Sequence, residues 1–387
     1  MNFKNLAPFK SHLRSAWHWY KSLPRQRAIR KALLPPSGEI RVFYGHDHIP
    51  RPDDHAYGGI VKFQRMQSLY PNSPACFNVL YMVSSQSPRG AAHLARVAQK
   101  KGLALVWNQN GVAYPGWHGP GWEQVNGPMA KILHSADYVF YQSEFCRLSA
   151  DRYLGERQGP WEILYNSVDT SVFTPPEGDP APGELVILLG GTQYQYYRFA
   201  TAVETLARVC RSQPETRLIV TGRLSWIADE KEAFRLAQDL AIKLKVKDRV
   251  EFLGPYAQTD APAIYRRAHL LLHTKYNDPC PGLVVEAMAS GLPVVYSHSG
   301  GVPELVGPDA GIGVPAELNW ERDLPPDPES LAQAVLKVAE RYREYTHAAR
   351  RRAVENFDLQ PWLQRHKDIF SGLCTEKMWE RERKEPH

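Results

Sequence analysis

Short apolar runs recur along the chain, and between them apolar side chains return every three or four positions. Glu39-Ile-Arg-Val-Phe-Tyr44, Phe77–Met82, Leu103–Trp107, Tyr138–Tyr141 and Glu162–Tyr165 read as strands in the first half. Leu185–Leu189, Arg217–Thr221, Arg249–Leu253, Leu270–Thr274 and Pro293–Tyr296 repeat the pattern in the second. Between strands the period becomes helical, as in Ala233, Ala237, Leu240, Ala241 and Leu244. Strands separated by helices predict parallel α/β sheets. A long helix over 329–357 and a shorter one over 362–370 are expected to finish the fold, and the highly charged residues 376–387 are expected to be a solvated end.

Pro175-Pro-Glu-Gly-Asp-Pro-Ala-Pro-Gly183 sustains neither helix nor central strand and marks the connection between two units. The expected division is a basic segment 1–38, a first α/β domain 39–175, a connector 176–183, a second α/β domain 184–355, and C-terminal helices 356–387 that cross back to the first domain. A chain of 387 residues is long enough for two such cores.

Composition excludes several classes. With 43% hydrophobic and 23% charged residues the chain is neither a disordered nor a membrane-bundle sequence. It has no uncharged apolar run long enough to span a bilayer, and a cleavable signal is not expected, because residues 1–38 lack a continuous apolar stretch and a small-residue cleavage site. Its five cysteines are scattered and never form C-x-x-C, which fits a reducing, cytoplasmic setting better than a disulfide framework or structural zinc. The net charge of +6 is a property of the N-terminus: residues 1–38 hold eight basic side chains and no acidic one. The 47 basic residues less those eight leave 39 against 41 acidic, so the folded body is near neutral and nucleic acid is not an expected partner.

The segment richest in chemistry is His273-Thr-Lys-Tyr-Asn-Asp-Pro-Cys-Pro-Gly-Leu-Val-Val-Glu-Ala-Met-Ala-Ser-Gly-Leu-Pro-Val-Val295. A strand ends near Thr274, a Pro/Gly loop follows, and a helix runs from Gly282 to Gly291. Leu283, Val284, Ala287 and Met288 form its apolar stripe, which sets Glu286 off the packed face and toward the carboxyl edge of the sheet, where open α/β sheets bind ligands. The first-turn N–H groups suit a phosphate or sugar oxygen, and Gly282 lets a ligand approach.

This run resembles the family-4 retaining glycosyltransferases. The likeness rests on Asp278-x7-Glu286, on Glu286-Ala-Met-Ala-Ser-Gly-Leu-Pro-Val-Val295, and on Gly300-Gly301-Val-Pro-Glu304. Tyr165-Asn-Ser-Val-Asp169 with Phe173, Val250-Glu-Phe-Leu-Gly254 and Gly58-Gly59 follow the family in the same order. The resemblance implies the GT-B fold, two Rossmann-like domains whose parallel sheets face a central cleft, with a nucleotide-sugar as substrate and no cofactor or metal. It implies that Glu286 accepts hydrogen bonds from the ribose hydroxyls and that Asp278 contacts the donor sugar. Gly190, Gly191, Lys275, Gly282, Leu283, Gly300 and Gly301 complete the implied donor site, and Gly58 and Gly59 lie on the acceptor side.

The chain departs from the family at three places. Asp replaces the usual Glu at 278, and a turn-capping role for it stays open. Leu189-Gly-Gly-Thr-Gln-Tyr-Gln-Tyr-Tyr-Arg198 lacks the family's Gly-Arg, leaving Arg198, Lys275 or Arg223 as candidates for the cation at the diphosphate. Asn110, before Gly111, stands where the family commonly has His; Asn cannot take up a proton, and His118 is the nearby substitute. His46, Asp47, His48 and His55 are too irregularly spaced for a ligand set, and there is no Asp-x-Asp. The implied acceptor is a carbohydrate or lipid-linked hydroxyl. A sugar-nucleotide 2-epimerase and a catalytically silent binding protein of the same fold remain alternatives. Finally, Leu6, Phe9, Leu13, Trp17 and Tyr20 form an apolar stripe flanked by Lys10, Arg14 and Lys21, the pattern of a helix that lies on an anionic membrane. Packing of this segment on the protein, or a disordered leader, is the alternative.

Overall fold

The computed structural model describes residues 19–20, 22–56, 58–177 and 184–383. Leu6, Phe9, Leu13 and Trp17 of the expected membrane stripe, and residues 178–183 of the connector, lie outside the described residues.

The first half contains α1 (22–31), β1 (Val42–Phe43), α2 (Gly59–Met66), β2 (Val79–Val83), α3 (Ala91–Lys100), β3 (Ala104–Gln109), α4 (Pro115–His118), α5 (Trp122–Ser135), β4 (Tyr138–Tyr141), α6 (Glu144–Leu154) and β5 (Trp161–Ile163). Its five strands are all parallel in the order β1-β2-β3-β4-β5. The second half contains β6 (Val186–Leu189), α7 (Tyr196–Val209), β7 (Arg217–Thr221), α8 (Glu230–Lys243), β8 (Val250–Gly254), α9 (Ala261–Tyr265), β9 (Leu270–His273), α10 (Gly282–Ala289), β10 (Val294–His298), α11 (Val302–Val306), β11 (Gly311–Pro315), α12 (Pro328–Glu340) and α13 (Tyr342–Phe357), followed by α14 (Leu359–Glu382). This sheet is also parallel, in the order β11-β10-β9-β6-β7-β8. Strands such as β2 and β9 are buried at every position, as expected where helices cover both faces of a parallel sheet.

The order of the second sheet reverses between β6 and β9. Connections from β6 run one way across the sheet and those from β9 run the other, so a crevice opens beyond their carboxyl ends. Gly190-Gly191 follows β6 there, and residues 274–281 follow β9.

The fold begins earlier than Glu39. In α1, Ser22, Gln26 and Ile29 are buried, and Leu33 exchanges backbone hydrogen bonds with Ala75 and Phe77. Lys101 Nζ donates to the carbonyls of Ile29 (2.9 Å), Arg30 (3.0 Å) and Ala32, which closes the end of α1 with a cation. Residues 22–34 are thus part of the first domain, and the strand expected over 39–44 shortens to Val42–Phe43. The long helix expected over 329–357 breaks at Arg341 into α12 and α13. The expected helix over 362–370 extends instead to Glu382, through residues expected to be solvated. α14 lies on the first sheet: Trp362, Leu363, Phe370 and Leu373 join the buried cluster of Tyr44, Phe63 and Tyr81, and Lys377 pairs with Asp137 at 2.8 Å.

The two sheets share one apolar cluster, running from Phe43, Leu80 and Trp107 to Val284, Met288 and Leu305. Trp320, from the loop after β11, stacks on Phe145 and meets Tyr114 edge-on. Glu304 accepts hydrogen bonds from the N–H groups of Glu144 (2.8 Å) and Phe145 (2.9 Å) and from the Tyr165 hydroxyl (3.1 Å). The carboxylate therefore caps the start of α6 in the opposite domain, where a negative charge complements the helix dipole.

Candidate active site

α10 organises the cleft. Gly282 opens it, and a Cβ there would meet no atom within 4 Å, so the space beside its first turn is free. Its N-terminal N–H groups have no carbonyl partner within the helix. Val284, Val285, Ala287 and Met288 are buried, whereas Leu283 is half-buried and leans over the diglycine loop, its Cδ atoms 3.4 Å from a Cβ at Gly190 and 3.1 Å from one at Gly191.

Glu286 does not lie free of the packed surface. It is buried at 6% exposure because the first domain closes over it. Arg65 Nη2 of α2 and Gln258 Nε2 both donate to its Oε1 at 2.8 Å, and the Tyr265 hydroxyl donates to Oε2 at 3.1 Å. Arg65 also donates to the Ser167 carbonyl. The carboxylate is therefore held in one orientation by three donors, one of them from the facing domain.

Asp278 sits at the other end of the loop, buried among cations. Lys275 Nζ lies 3.1 Å from Oδ1, and His273 Nε2 lies 3.2 Å from Oδ2. Burial alone would raise the carboxyl, but Lys275, His273 and Arg198 outweigh it and hold it well below the usual carboxylate range. Burial lowers the His273 imidazole, which is therefore neutral and not an ion-pair partner. The Nε of Arg198 is buried without a hydrogen-bond partner among the described residues, and buried donors of this kind are rare.

The remaining expected residues divide into those that line this region and those that support it. Arg198, on α7, is buried and donates to the Thr192 carbonyl at 2.7 Å. Lys275 also lies 4.8 Å over the ring of Trp117. Asn110 accepts from the Gly111 N–H at 2.8 Å, and Gly111 packs against Pro279, which brings Asn110 to the Asp278 loop. His118 is exposed, and its ring Nδ1 lies 3.4 Å from the Gly119 carbonyl. Arg223 is half-exposed, 3.9 Å from Glu230. Gly300 and Gly301 stand behind the Asp278 loop: the Gly301 N–H donates to the Asp278 carbonyl at 2.9 Å, and a Cβ at 301 would lie 1.9 Å from Pro279 O. Gly58 and Gly59 begin α2, and a Cβ at 59 would press to 2.8 Å on Ser85 Oγ. The small size of Gly59 serves packing against its own sheet.

Sequence reasoning missed Lys62 and Arg65. They lie one turn apart on α2, and the Lys62 ammonium donates to Asn166 Oδ1. Asn166 Nδ2 in turn donates to the Cys280 carbonyl at 2.6 Å, two residues before α10. Burial, with Arg65 alongside, lowers the Lys62 ammonium to about 8. A Lys-x-x-Arg spacing on a helix reads as a solvated face, and the only local hint was its place directly after Gly58-Gly59.

Comparison with known proteins places this geometry. The profile of the family described as glycosyl transferases group 1 matches residues 175–355. A phosphatidylinositol N-acetylglucosaminyltransferase subunit of Arabidopsis thaliana is 28% identical over 177 residues, 46% of this chain and 36% of that protein. D-inositol 3-phosphate glycosyltransferase of Mycobacteroides abscessus is 32% identical over 152 residues, 38% of this chain and 33% of that protein. The chain thus spans about a third of the length of these curated relatives. Among solved structures, HepE of Anabaena in complex with UDP superposes with a TM-score of 0.60 at 18% identity, covering 76% of this chain and 79% of that one. Residues 175–355 thus match the glycosyl transferases group 1 family, and the two facing parallel sheets have the GT-B fold.

Proposed function

We propose that the chain is a retaining glycosyltransferase, moving a sugar from an α-linked nucleotide-sugar to an acceptor hydroxyl. The observation that carries this reading is the placement of two buried carboxylates, Asp278 and Glu286, on either side of the open first turn of α10 at the switch point of the second sheet. An ionised carboxylate presents two oxygens to a vicinal diol, which suits Glu286 to ribose. Asp278, kept ionised by its cations, suits a donor-sugar hydroxyl, and the unpartnered Nε donor of Arg198 suits an oxygen of the same ligand. The leaving diphosphate accumulates negative charge as the glycosidic bond breaks, so fixed positive charge in a water-poor cleft stabilises the transition state. Attack by the acceptor on the same face, with the leaving phosphate taking its proton, retains configuration without a protein nucleophile.

The relatives' names and the UDP complex of HepE support a uridine diphosphate sugar as donor and an inositol-containing or other lipid-linked acceptor, in cell-surface polysaccharide or glycolipid synthesis. Among the described residues no helix is long and apolar enough to cross a membrane. Access to a lipid-linked acceptor is assigned to residues 1–21, of which Trp19 and Tyr20 are exposed. A thermal-shift panel of uridine, guanosine and adenosine diphosphate sugars tests the reading, because a ligand that binds only the folded form raises its stability. At least one donor class must raise the melting temperature in a saturable way; no shift with any of them counts against a nucleotide-sugar enzyme.

A further inference from the structure

We propose that the donor diphosphate is neutralised from the opposite domain by Lys62 on α2, alongside Arg198 after β6. The inference rests on the transferase reading above and extends it to one specific residue.

The cations on the donor side face other groups: Lys275 pairs with Asp278 at 3.1 Å, Arg198 faces Asp278 and keeps one buried donor, Nε, without a partner among the described residues, and Arg223 lies out toward Glu230. The loop from Gly190 to Gln195 has no cation of its own. Lys62 is the reverse case. It is buried at 6% exposure, and among the described residues no carboxylate lies within ion-pairing distance of it. Buried charges are ordinarily paired, because an uncompensated one forfeits its hydration with nothing in return. Its hydrogen-bond partner is a neutral amide, Asn166 Oδ1.

Its position fits an anion. Asn166 ties Lys62 to the Cys280 carbonyl, beside the start of α10. One turn further along α2, Arg65 reaches Glu286, one turn further along α10. The two helices therefore face each other in register. A nucleotide-sugar with its ribose on Glu286 and its sugar near Asp278 must run its diphosphate between them, past the first turn of α10. That stretch is the one Lys62 faces. The N–H groups of the helix and the ammonium would then approach the phosphates from opposite domains, so donor binding and closure of the cleft are coupled.

Matched ligand pairs test this by calorimetry: UDP with uridine, and equally GDP with guanosine and ADP with adenosine. For the base that binds, Lys62→Met should weaken the diphosphate by roughly 10- to 100-fold, the worth of one charge-assisted hydrogen bond. The nucleoside should change by less than about threefold, and Lys62→Arg should restore most of the loss. A role confined to the domain interface would change both ligands alike, and that outcome, or no change in either, overturns the proposal. Should the Met variant fail to fold, the wild-type protein decides. Its preference for the diphosphate over the nucleoside must fall as pH rises through about 8. Of the titrating groups facing Lys62, burial keeps the thiols of Cys146 and Cys280 protonated past that range and the His366 imidazole neutral throughout it. A preference unchanged between pH 7 and pH 9 also overturns it. If the wild-type chain binds no nucleoside diphosphate at all, the transferase reading itself fails.

Discussion

Replacing Glu286 by Gln keeps the volume of the side chain and removes its charge, so it isolates what the carboxylate contributes. In the unliganded cleft, Oε1 already accepts from Arg65 and Gln258, while Oε2 holds only the Tyr265 hydroxyl at 3.1 Å. A ribose diol must share or displace these donors, so the net gain falls at the lower end of the 1.5–3 kcal/mol typical of charged hydrogen bonds. About 1.5–2 kcal/mol corresponds to roughly a 10- to 30-fold loss of nucleotide affinity in the variant. The sharper readout is a cycle with UDP and 2′-deoxy-UDP by calorimetry. The wild-type protein should prefer the ribonucleotide, and Glu286→Gln should lose most of that preference, because the missing hydroxyl no longer has a charged acceptor. Breaking a buried ion pair usually costs about 3–5 kcal/mol. Here the partners belong to different domains, and Arg65 can regain water if the cleft opens. The cost should therefore appear as a larger radius of gyration in X-ray scattering more than as a lower melting temperature. A variant that keeps the wild-type preference for ribose refutes the assignment of Glu286.

Asp278→Asn should lower kcat roughly 10- to 100-fold while leaving nucleoside diphosphate affinity within about threefold, since the proposed contact is to the sugar alone; equal loss in both, by steady-state kinetics and calorimetry, would place Asp278 elsewhere. His366 is buried between Trp362 and Phe140, and burial lowers its imidazole to about 3. The unfolded chain therefore binds the extra proton first, so the contribution is complete above about pH 6.5 and falls by roughly 1.4 kcal/mol per pH unit as pH drops from there toward 3. Urea unfolding of His366→Gln should show a visibly flatter acid limb than wild type, and parallel curves would contradict the assignment. Liposome co-sedimentation should show the full chain binding anionic vesicles and releasing in high salt, while a chain starting at Ser22, which keeps α1 intact, stays in solution; equal partitioning of the two ends the membrane hypothesis.

What the sequence disclosed followed the strength of local signals. Tyr138–Tyr141 and Arg217–Thr221 were readable to the residue, because a run buried at every position after its first leaves little freedom in placing a strand. Gly311–Pro315 was not foreseen: two glycines and a proline argue against a strand. Its backbone instead comes so close to β10 that a Cβ at Gly311 would lie 2.0 Å from Val294 O. Residues 376–387 read as a charged, solvated end; those described, 376–383, are exposed or half-buried in keeping with that reading, but they extend α14, held by Lys377 on Asp137 and by Arg381 on the Gly102 carbonyl. Those partners lie hundreds of residues away and leave no local pattern. The site divides the same way. Asp278, Glu286 and Gly282 belong to one contiguous motif. Lys62, Arg65 and Asn166 meet them only because α2 and α10 face each other across the cleft, a fact of tertiary structure that the spacing along α2 does not carry.

The central claim, transfer of a sugar from a nucleotide with its configuration kept, is tested most directly by proton NMR of the full chain with a donor and an acceptor. UDP-, GDP- and ADP-sugars would each be offered with inositol phosphate or phosphatidylinositol in vesicles, and the anomeric signals followed in time. The account predicts loss of the donor's α-anomeric signal, release of nucleoside diphosphate, and a new α-linked product signal that depends on the acceptor. A β-linked product, a sugar epimerised while still on its nucleotide, or no conversion with any donor and acceptor would contradict it.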